Sequence, residues 1–445
     1  MKRSGIATFT LDYGKCPAWL FRRMVKLGRE IMQILVTEYG PDEFIKRIAD
    51  PVWFQSLGTV LAFDWNASGL TTILTAALKE AIRGQEKDLG IFIAGGKGKT
   101  SRKTPDEIMQ WGEKLSLSTP KTQSLVYSSK MAAKVDSALI QDGFQIYHHS
   151  FFFAVRQNQG KAEIGAWAVV QQGMNIENQT ARRYHWYSDT TRTNLDNKTQ
   201  TNVDYMQTNV DHTQTNAEIN KSRTNAEKSQ RESARFNFVC EPHTGIISDM
   251  HQKLALNLTA QKSEKTREIS TELVKAGYHS LIKDIQLLRK HSSALHKALA
   301  LKINSPAGKD NIVKLLKLED IEFNHHPVEL EDFSKSKYLE KILWQVCEQQ
   351  PENYEKLLAI QGVGPKTIRA LALVAEIIYG AQPSYEDPAR YSFAHGGKDH
   401  VPYSVDLTTY SQTIEILERG IKRAKIENKE KAFAIKRLRN LSNNG

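Results

Sequence analysis

Hydrophobic positions recur every three or four residues along most of the chain, and this spacing predicts helices in its first and last parts. From Trp19 to Ala49 apolar residues alternate with a basic face, and further helical stretches begin at Asp50 and near Gly69. From His251 onward nearly every segment has helical spacing. The pattern predicts a helical domain over residues 251–410 and a basic C-terminal helix over 411–445.

Between the helical regions the pattern changes to runs of β-formers. Residues 91–94 predict a short buried strand. Phe144 to Val155 and Ala166 to Gln172 predict a β-hairpin whose turn is the polar segment 157–161. The fold class is therefore α+β, with a mixed α/β N-terminal domain followed by an all-helical C-terminal domain.

Residues 191–235 interrupt the first domain with a different composition. TNLD, TNVD and TNAE recur about every seven residues, and large apolar side chains are scarce. A coiled-coil seam would need Leu or Ile at two positions in each heptad, so we predict a low-complexity insertion that builds no core. The strand-like FNFVCEPH from Phe236 is expected to resume the domain, which then comprises 1–190 plus 236–250.

The segment LLAIQGVGPKTIRAL, from Leu357 to Leu371, predicts a helix, a two-glycine turn and a second helix. Gly362 and Gly364 allow a close backbone approach, Pro365 suits a first helical position, and the N–H groups near Lys366 and Thr367 favour an anion. This pattern resembles the helix-hairpin-helix motif, which grips backbone phosphates of DNA without reading bases. The alternative is an ordinary turn between two core helices.

Composition agrees with a polyanionic partner. Lys and Arg number 61 against 50 Asp and Glu, which gives a formal charge of +11 and a pI of 9.2. We therefore expect nucleic acid, specifically DNA, although an anionic membrane surface would also attract the chain. No apolar run is long enough to span a bilayer, and the N-terminus lacks a signal-peptide core. Three cysteines far apart in sequence predict reduced thiols in a cytoplasmic protein.

Two glycine-containing loops add candidate binding residues. The loop 95–103 follows the first predicted strand and carries Lys97, Lys99 and Arg102, which suit a phosphate nest. Its spacing is not that of a P-loop, so an ATPase is not expected, and a solvated basic loop is the alternative. The loop SFAHGGKDHVPYSVD carries Lys398 and follows the glycine turn closely in sequence. We expect it either to make a further contact with nucleic acid or to form a structural turn.

Polar residues on the predicted hairpin suggest catalysis. Strand alternation would place Gln145, Tyr147 and His149 on one face, and Gln171 or Gln172 could share that face. We expect Asp142 and His149 to hold a divalent metal, Mg or Mn, for phosphodiester hydrolysis. The remaining candidate catalytic residues are Gln172, Arg183 and His185. The glutamate and lysine of a restriction-type nuclease are replaced by Gln171 and Gln172, and a satisfied polar network with core histidines is the alternative.

Several phrases together resemble an uncharacterised prokaryotic family, known as domain of unknown function 763. They are WFQSLGTVLAFDWNASGLTT, GGKGKTSRKTPDE, QDGFQIYHHSF, WAVVQQGMN, RRYHW and YSFAHGGKDHVPY. The resemblance covers nearly the whole chain except 191–235 and implies no activity. Family members usually carry histidine and serine where this chain has Asn66 and Ala67.

A narrower resemblance concerns endonuclease III-like DNA glycosylases. Lys366 stands at the position of their catalytic lysine, whereas Ser384 stands where their aspartate is expected, with Glu386 and Asp387 out of register. The leading hypothesis is a DNA-binding protein of repair or recombination that hydrolyses phosphodiesters with a metal. The alternatives are a non-catalytic DNA-binding module and a helix-hairpin-helix glycosylase or lyase.

Overall fold

The computed structural model describes residues 16–61, 67–158, 160–188, 236–248, 251–292, 337–391 and 407–442, and it is mixed helix and sheet. The helices in these ranges are α1 (Ala18–Tyr39), α2 (Pro41–Ala49), α3 (Pro51–Val60), α4 (Ala67–Ala81), α5 (Glu86–Leu89), α6 (Thr104–Lys114), α7 (Thr119–Ala138), α8 (Glu264–Lys275), α9 (Tyr278–Ser292), α10 (Lys337–Gln349), α11 (Tyr354–Ala359), α12 (Pro365–Ile377), α13 (Leu407–Arg423) and α14 (Asn428–Ser442).

Among the described residues, six strands form one sheet in the order β1-β3-β4-β5-β6-β8, and β2 pairs with β7 in a separate ladder. The strands are β1 (Ile91–Lys97), β2 (Ile140–Gln141), β3 (Gln145–Asn158), β4 (Lys161–Asn175), β5 (Thr180–Tyr187), β6 (His243–Ser248), β7 (Leu256–Asn257) and β8 (Arg390–Tyr391). Neighbours in the main sheet are antiparallel except β6 and β8, which are parallel. The predicted β-hairpin is confirmed as β3 and β4.

Helices cover both faces of the sheet. Because both faces of its central strands are buried, the sequences of these strands are nearly continuous apolar runs. Phe151 and Phe153 pack in one core with α6 and α7, and we call this side the α7 face. Phe152 and Ala154 pack in a second core with α1 to α4, and we call this side the α4 face. Successive side chains of β3 therefore enter different cores, as strand geometry requires.

The helices after residue 251 add to the core on the α7 face. Leu273 of α8, Leu343 of α10 and Leu371 of α12 belong to the same buried cluster as Phe151 and Met131. Helical spacing over this region predicted the helices, while β7 and β8 are short strands within it. Buried residues from both sides of residue 251 belong to one core. The division into an α/β domain and a helical domain therefore stays a prediction.

The basic segment at the C-terminal side folds as two helices, α13 and α14, where one helix was expected. Ile416 and Leu417 are buried in the core of the α4 face together with Ile31 and Leu35 of α1. The pairing of Arg419 with Glu38, at 2.8 Å, joins the same helices at the surface. These helices therefore bury an apolar side, and only their outer side is basic.

The prediction of a strand beginning at Phe236 is wrong, since the strand in this region begins at His243. Residues 236–242 form no strand, and their aromatic side chains pack against the sheet instead. The ring of Phe236 lies 5.0 Å from that of Trp167, and the ring of Phe238 stacks on Trp167 at 6.1 Å. Aromatic residues are common in strands, and they also pack well on a core from a loop. Their presence in FNFVCEPH therefore could not distinguish a strand from a packed loop.

Deleting residues 191–235 and joining the ends with a short Gly-Ser bridge should leave the melting temperature nearly unchanged. The chain segments before and after the deleted residues both contact Trp167. The N–H of Ser188 donates to the Trp167 carbonyl at 3.0 Å, and Phe236 packs on the Trp167 ring. The deleted residues lie outside the described ranges. Thermal unfolding of both proteins checks this, and a loss of many degrees would show that the repeats contribute to the fold.

Candidate functional site

One end of the sheet collects most of the predicted functional segments. At this end, which we call the polar end, β1 and β4 finish and β3 and β5 begin, with Lys97 paired to His148 and Asn175 paired to Thr180. The first turn of α4 lies there too, since Ala67 packs with Ala181. Segments far apart in the sequence are therefore neighbours in the structure.

The basic loop continues β1 at the polar end as a 3-10 helix, Gly98–Lys103. Gly95 has φ +87 and approaches the backbone of β3, a conformation that favours glycine. Glu107 of α6 fixes the loop: its carboxylate accepts from the Gly95 N–H at 2.9 Å and from Lys79 Nζ at 2.6 Å. The predicted cations Lys97, Lys99 and Arg102 are all exposed.

The glycine turn joins α11 to α12 as the sequence predicted. Gly362 has φ +90, Val363 is buried, and Pro365 occupies the first turn of α12. The first intrahelical bond runs from the Ile368 N–H to the Gly364 carbonyl at 3.1 Å, so the N–H groups of Lys366 and Thr367 precede the helical ladder.

The side chains of these two residues differ in access to solvent. Lys366 is exposed and can meet a phosphate, whereas the Thr367 side chain is buried. Any contact of Thr367 with an anion therefore uses its backbone N–H.

Side chains from α7 and β2 hold the glycine turn. Lys134 donates to the carbonyls of Leu358 and Ile360, both at 2.6 Å, and Gln141 donates to the Pro365 carbonyl at 3.0 Å. Burial, together with the charge of Lys130, lowers the pKa of Lys134 to about 8. Gln141 lies four residues before β3 begins, so the turn sits next to the polar end, as the basic loop does.

Asp142 belongs to a buried ion cluster on the α7 face. Its carboxylate accepts from Arg182 at 2.7 Å, from the Tyr184 hydroxyl at 2.8 Å and from the Phe144 N–H at 3.1 Å. Arg182 also makes two bonds to Asp387, at 2.9 and 2.7 Å. Burial disfavours the Arg182 charge, but the two carboxylates outweigh it and raise the pKa of Arg182 above its ordinary value.

His149 lies on the same face within a hydrogen-bonded chain. Gln171 donates to the Ala132 carbonyl and to Asp136, so its oxygen must accept, at 2.7 Å, from the Nδ1–H of His149. The Nε2 atom of His149 then accepts from the Ser129 hydroxyl at 2.9 Å. Burial lowers the pKa of His149, which fits this neutral form.

A serine, a histidine and an orienting group follow one another here in the order used for nucleophilic catalysis. Ser129 is only 2% exposed, however, and no substrate can reach its hydroxyl. Asp136 further accepts from the indole of Trp186 at 2.9 Å and is paired with His243. We interpret this chain as a satisfied structural network.

Gln172, Arg183 and His185 point to the α4 face. Gln172 donates to the Ser68 carbonyl at 3.0 Å and to the Tyr147 hydroxyl at 2.5 Å. Arg183 donates to the side chains of Gln55 in α3 and Thr71 in α4, at 3.2 and 3.4 Å. The carbonyl of Ile48 in α2 lies 3.3 Å from Nδ1 of His185. Burial lowers the pKa of Arg183 to about 9 and lowers that of His185.

The predicted catalytic constellation does not converge. Asp142 and His149 face α7, whereas Gln172, Arg183 and His185 face α4, and the sheet separates the two groups. Neighbouring residues of β5 alternate, so Arg182 contacts Asp142 and Arg183 cannot.

Strand alternation also failed at the start of β3. A bulge between Ile146 and His148 brings Tyr147 to Gln172 on the α4 face, so Tyr147 and His149 do not share a face.

The pair Asp142 and His149 does not fit the predicted divalent ion. The Asp142 oxygens bind an arginine, a tyrosine and a backbone N–H, and both ring nitrogens of His149 are hydrogen-bonded. The described part of the chain contains no group of three or more His, Cys, Asp or Glu residues that could hold a metal ion.

The remaining candidates are placed as follows. Lys398 lies outside the described residues. Two residues were considered for the glycosylase alternative. The backbone of Ser384 is hydrogen-bonded to Ser263 and Asn257, and the Asp387 carboxylate accepts from Arg182.

The helices that the structure describes include none long and apolar enough to cross a membrane.

Sequence reasoning missed the residues that hold these elements together. Asp136 and Ser129 lie seven positions apart on a buried face of α7, and a charged residue on an apolar helical face was a readable signal. Lys134, Glu107 and Asp387 act over long sequence separations, with Lys134 reaching across 224 residues to Leu358. Nothing local in the sequence marks such partners.

Comparison with known proteins gives one match. A family model described as "Protein of unknown function (DUF763)" matches residues 5–234 and 217–405. No curated protein and no solved structure matches the chain.

Proposed function

The chain belongs to the DUF763 family of proteins of unknown function, and we propose that it binds DNA through the sugar-phosphate backbone at the polar end of the sheet. The observation that carries this proposal is the start of α12, where the N–H groups of Lys366 and Thr367 precede the helical ladder beside the exposed Lys366 side chain, and the basic loop adds three exposed cations. Both segments present cations or N–H groups outside the helical ladder, and half-buried side chains, Lys134 and Gln141 for the turn and Glu107 for the loop, hold both in place.

The glycine turn supplies a site for one or two phosphates. The N–H groups of Lys366 and Thr367 precede the helical ladder, the positive end of the α12 dipole favours an anion, and the exposed ammonium of Lys366 adds a charge. Lys134 and Gln141 hold the turn in place, so binding need not order it. Such contacts position nucleic acid without reading its sequence.

The basic loop supplies further phosphate contacts. Lys97, Lys99 and Arg102 are exposed on a backbone that Glu107 anchors, and the net charge of +11 attracts polyanions from a distance. Together with the turn, the loop would give two attachment points, so we expect tighter binding to an extended polyanion than to a small phosphate.

A non-catalytic binding module is the form of this proposal that the described side chains support best. Phosphodiester hydrolysis and glycosylase or lyase chemistry stay predictions, and neither has a converging set of reactive groups among the described residues. Incubating labelled DNA with the protein, with and without Mg²⁺ or Mn²⁺, tests the first of them.

Lys366→Glu should weaken binding to all DNA sequences alike, by roughly tenfold at low salt, and reduce the salt dependence by the equivalent of about one phosphate contact. Fluorescence anisotropy with labelled oligonucleotides over a series of salt concentrations measures both effects. Lys87→Glu is the matched control, because Lys87 is equally exposed but precedes β1 at the opposite end of the sheet.

The control variant makes the outcome specific. If Lys87→Glu weakens binding as much as Lys366→Glu, the attraction is a general effect of charge and the turn is not a site. If wild type binds no DNA at 50 mM salt, the proposal as a whole is wrong.

A further inference from the structure

Helix α10 places an unusual surface beside the glycine turn. Tyr338 and Trp344 are 63% and 53% exposed, and Lys341 between them is exposed as well. The three residues follow one another at intervals of three, so they form an oblique ridge over the outer side of the helix. We call Tyr338, Lys341 and Trp344 the aromatic ridge.

The aromatic ridge is continuous with the glycine turn. The Tyr338 hydroxyl lies 3.4 Å from the position that a Cβ on Gly362 would take. Gln345, one heptad after Tyr338, donates to the Gln361 carbonyl at 3.3 Å. Helix α10 therefore runs alongside the turn, and the ridge lies on the solvent-facing surface next to it.

The apolar inner side of α10 packs into a core that does not include the ridge side chains, as far as the described residues extend. Leu339, Ile342, Leu343 and Val346 form its buried face and join the core on the α7 face. Large aromatic side chains interleaved with lysine on the outer side suit a ligand with flat π-faces and negative charge.

We infer that the aromatic ridge binds unpaired nucleotides of a DNA strand whose phosphates occupy the glycine turn. This inference rests on the proposed function and specifies its substrate as DNA with a single-stranded segment. Bases in a duplex are stacked on each other and cannot offer their faces to Tyr338 or Trp344, whereas splayed bases can. Six residues of helix separate the Tyr338 and Trp344 positions by about 9 Å along the helix axis.

Trp344→Leu and Tyr338→Leu should each weaken binding to single-stranded oligonucleotides by about five- to tenfold and leave duplex binding unchanged. Trp344→Phe should retain most of the affinity, because it keeps an aromatic face. Trp19→Leu is the matched control, since Trp19 is 54% exposed on α1, far from the turn in sequence and on a helix that packs in the core of the α4 face. Anisotropy titrations with dT oligonucleotides and a blunt duplex provide the measurement, and circular dichroism checks folding.

The outcomes separate this inference from the proposed function. If Lys366→Glu weakens binding to both forms of DNA while the leucine variants bind single strands like wild type, the ridge has no role and the turn keeps its own. If the leucine variants weaken both forms equally, or if Trp344→Phe loses as much as Trp344→Leu, stacking on unpaired bases is excluded. Selective loss of single-strand binding in the leucine variants, with an unaffected Lys366→Glu variant, overturns the turn as the phosphate site and with it the inference that turn and ridge hold one strand.

Discussion

Arg182→Met should lower the free energy of unfolding by about 3–5 kcal/mol, because it leaves the carboxylates of Asp142 and Asp387 buried without their cation. All three side chains are at most 1% exposed. A methionine has a similar length but donates no hydrogen bond, so neither carboxylate regains its partner. Denaturant unfolding followed by circular dichroism measures the change.

Two further variants make this expectation specific. Arg156→Met breaks an ion pair with Asp42 in which the arginine side chain is 62% exposed, and it should cost no more than about 1 kcal/mol. Adding Asp142→Asn to Arg182→Met should restore part of the stability, since one of the uncompensated charges is removed. Equal losses for Arg182→Met and Arg156→Met would mean that the cluster is hydrated in solution and does not stabilise the fold.

Acidification from pH 7 to 5 should destabilise the protein by several kcal/mol through its buried histidines. Burial, with smaller effects from His149 and Lys97, lowers the pKa of His148 to about 3, and burial also lowers the pKa of His149 and His185. In the unfolded chain a histidine has a pKa of about 6.5. For His148 the unfolded state therefore binds more protons between about pH 3 and 6.5, and His149 and His185 act in the same direction below pH 6.5, so stability rises with pH and falls on acidification.

Each histidine can contribute up to about 1.4 kcal/mol per pH unit within its window. Urea unfolding at pH 7, 6 and 5 measures the slope. His148→Gln should reduce that slope by the equivalent of about one proton, whatever its effect on stability at pH 7. A slope that His148→Gln leaves unchanged would show that His148 is protonated, or accessible to protons, in the native state.

Elements with a strong local pattern could be predicted from sequence. The spacing of apolar residues indicated α1, α4 and the helices after residue 251, and the β-formers around a polar turn indicated β3 and β4. The glycine turn was equally readable, since a left-handed conformation at Gly362 and a proline at the next helix start are local requirements.

The candidate site was harder to predict because it depends on register. Alternation along β5 decides that Arg182, and not Arg183, contacts Asp142, and a shift of one residue exchanges the two faces of a sheet. The bulge before His148 changes the alternation without any glycine or proline at Tyr147 to indicate it. The residues were therefore recognised as a polar group, but their distribution over two faces required the structure.

The packing of α13 and α14 on α1 has a consequence for synthesis on the ribosome. The apolar side of α1 that meets Ile416 and Leu417 remains uncovered until about 370 more residues have been translated. At ordinary elongation rates this takes roughly 20–70 s, long enough for a nascent chain to meet chaperones. The first core therefore closes only after α13 has been synthesised, and truncation by a premature stop codon before it would leave this side of α1 exposed to aggregation.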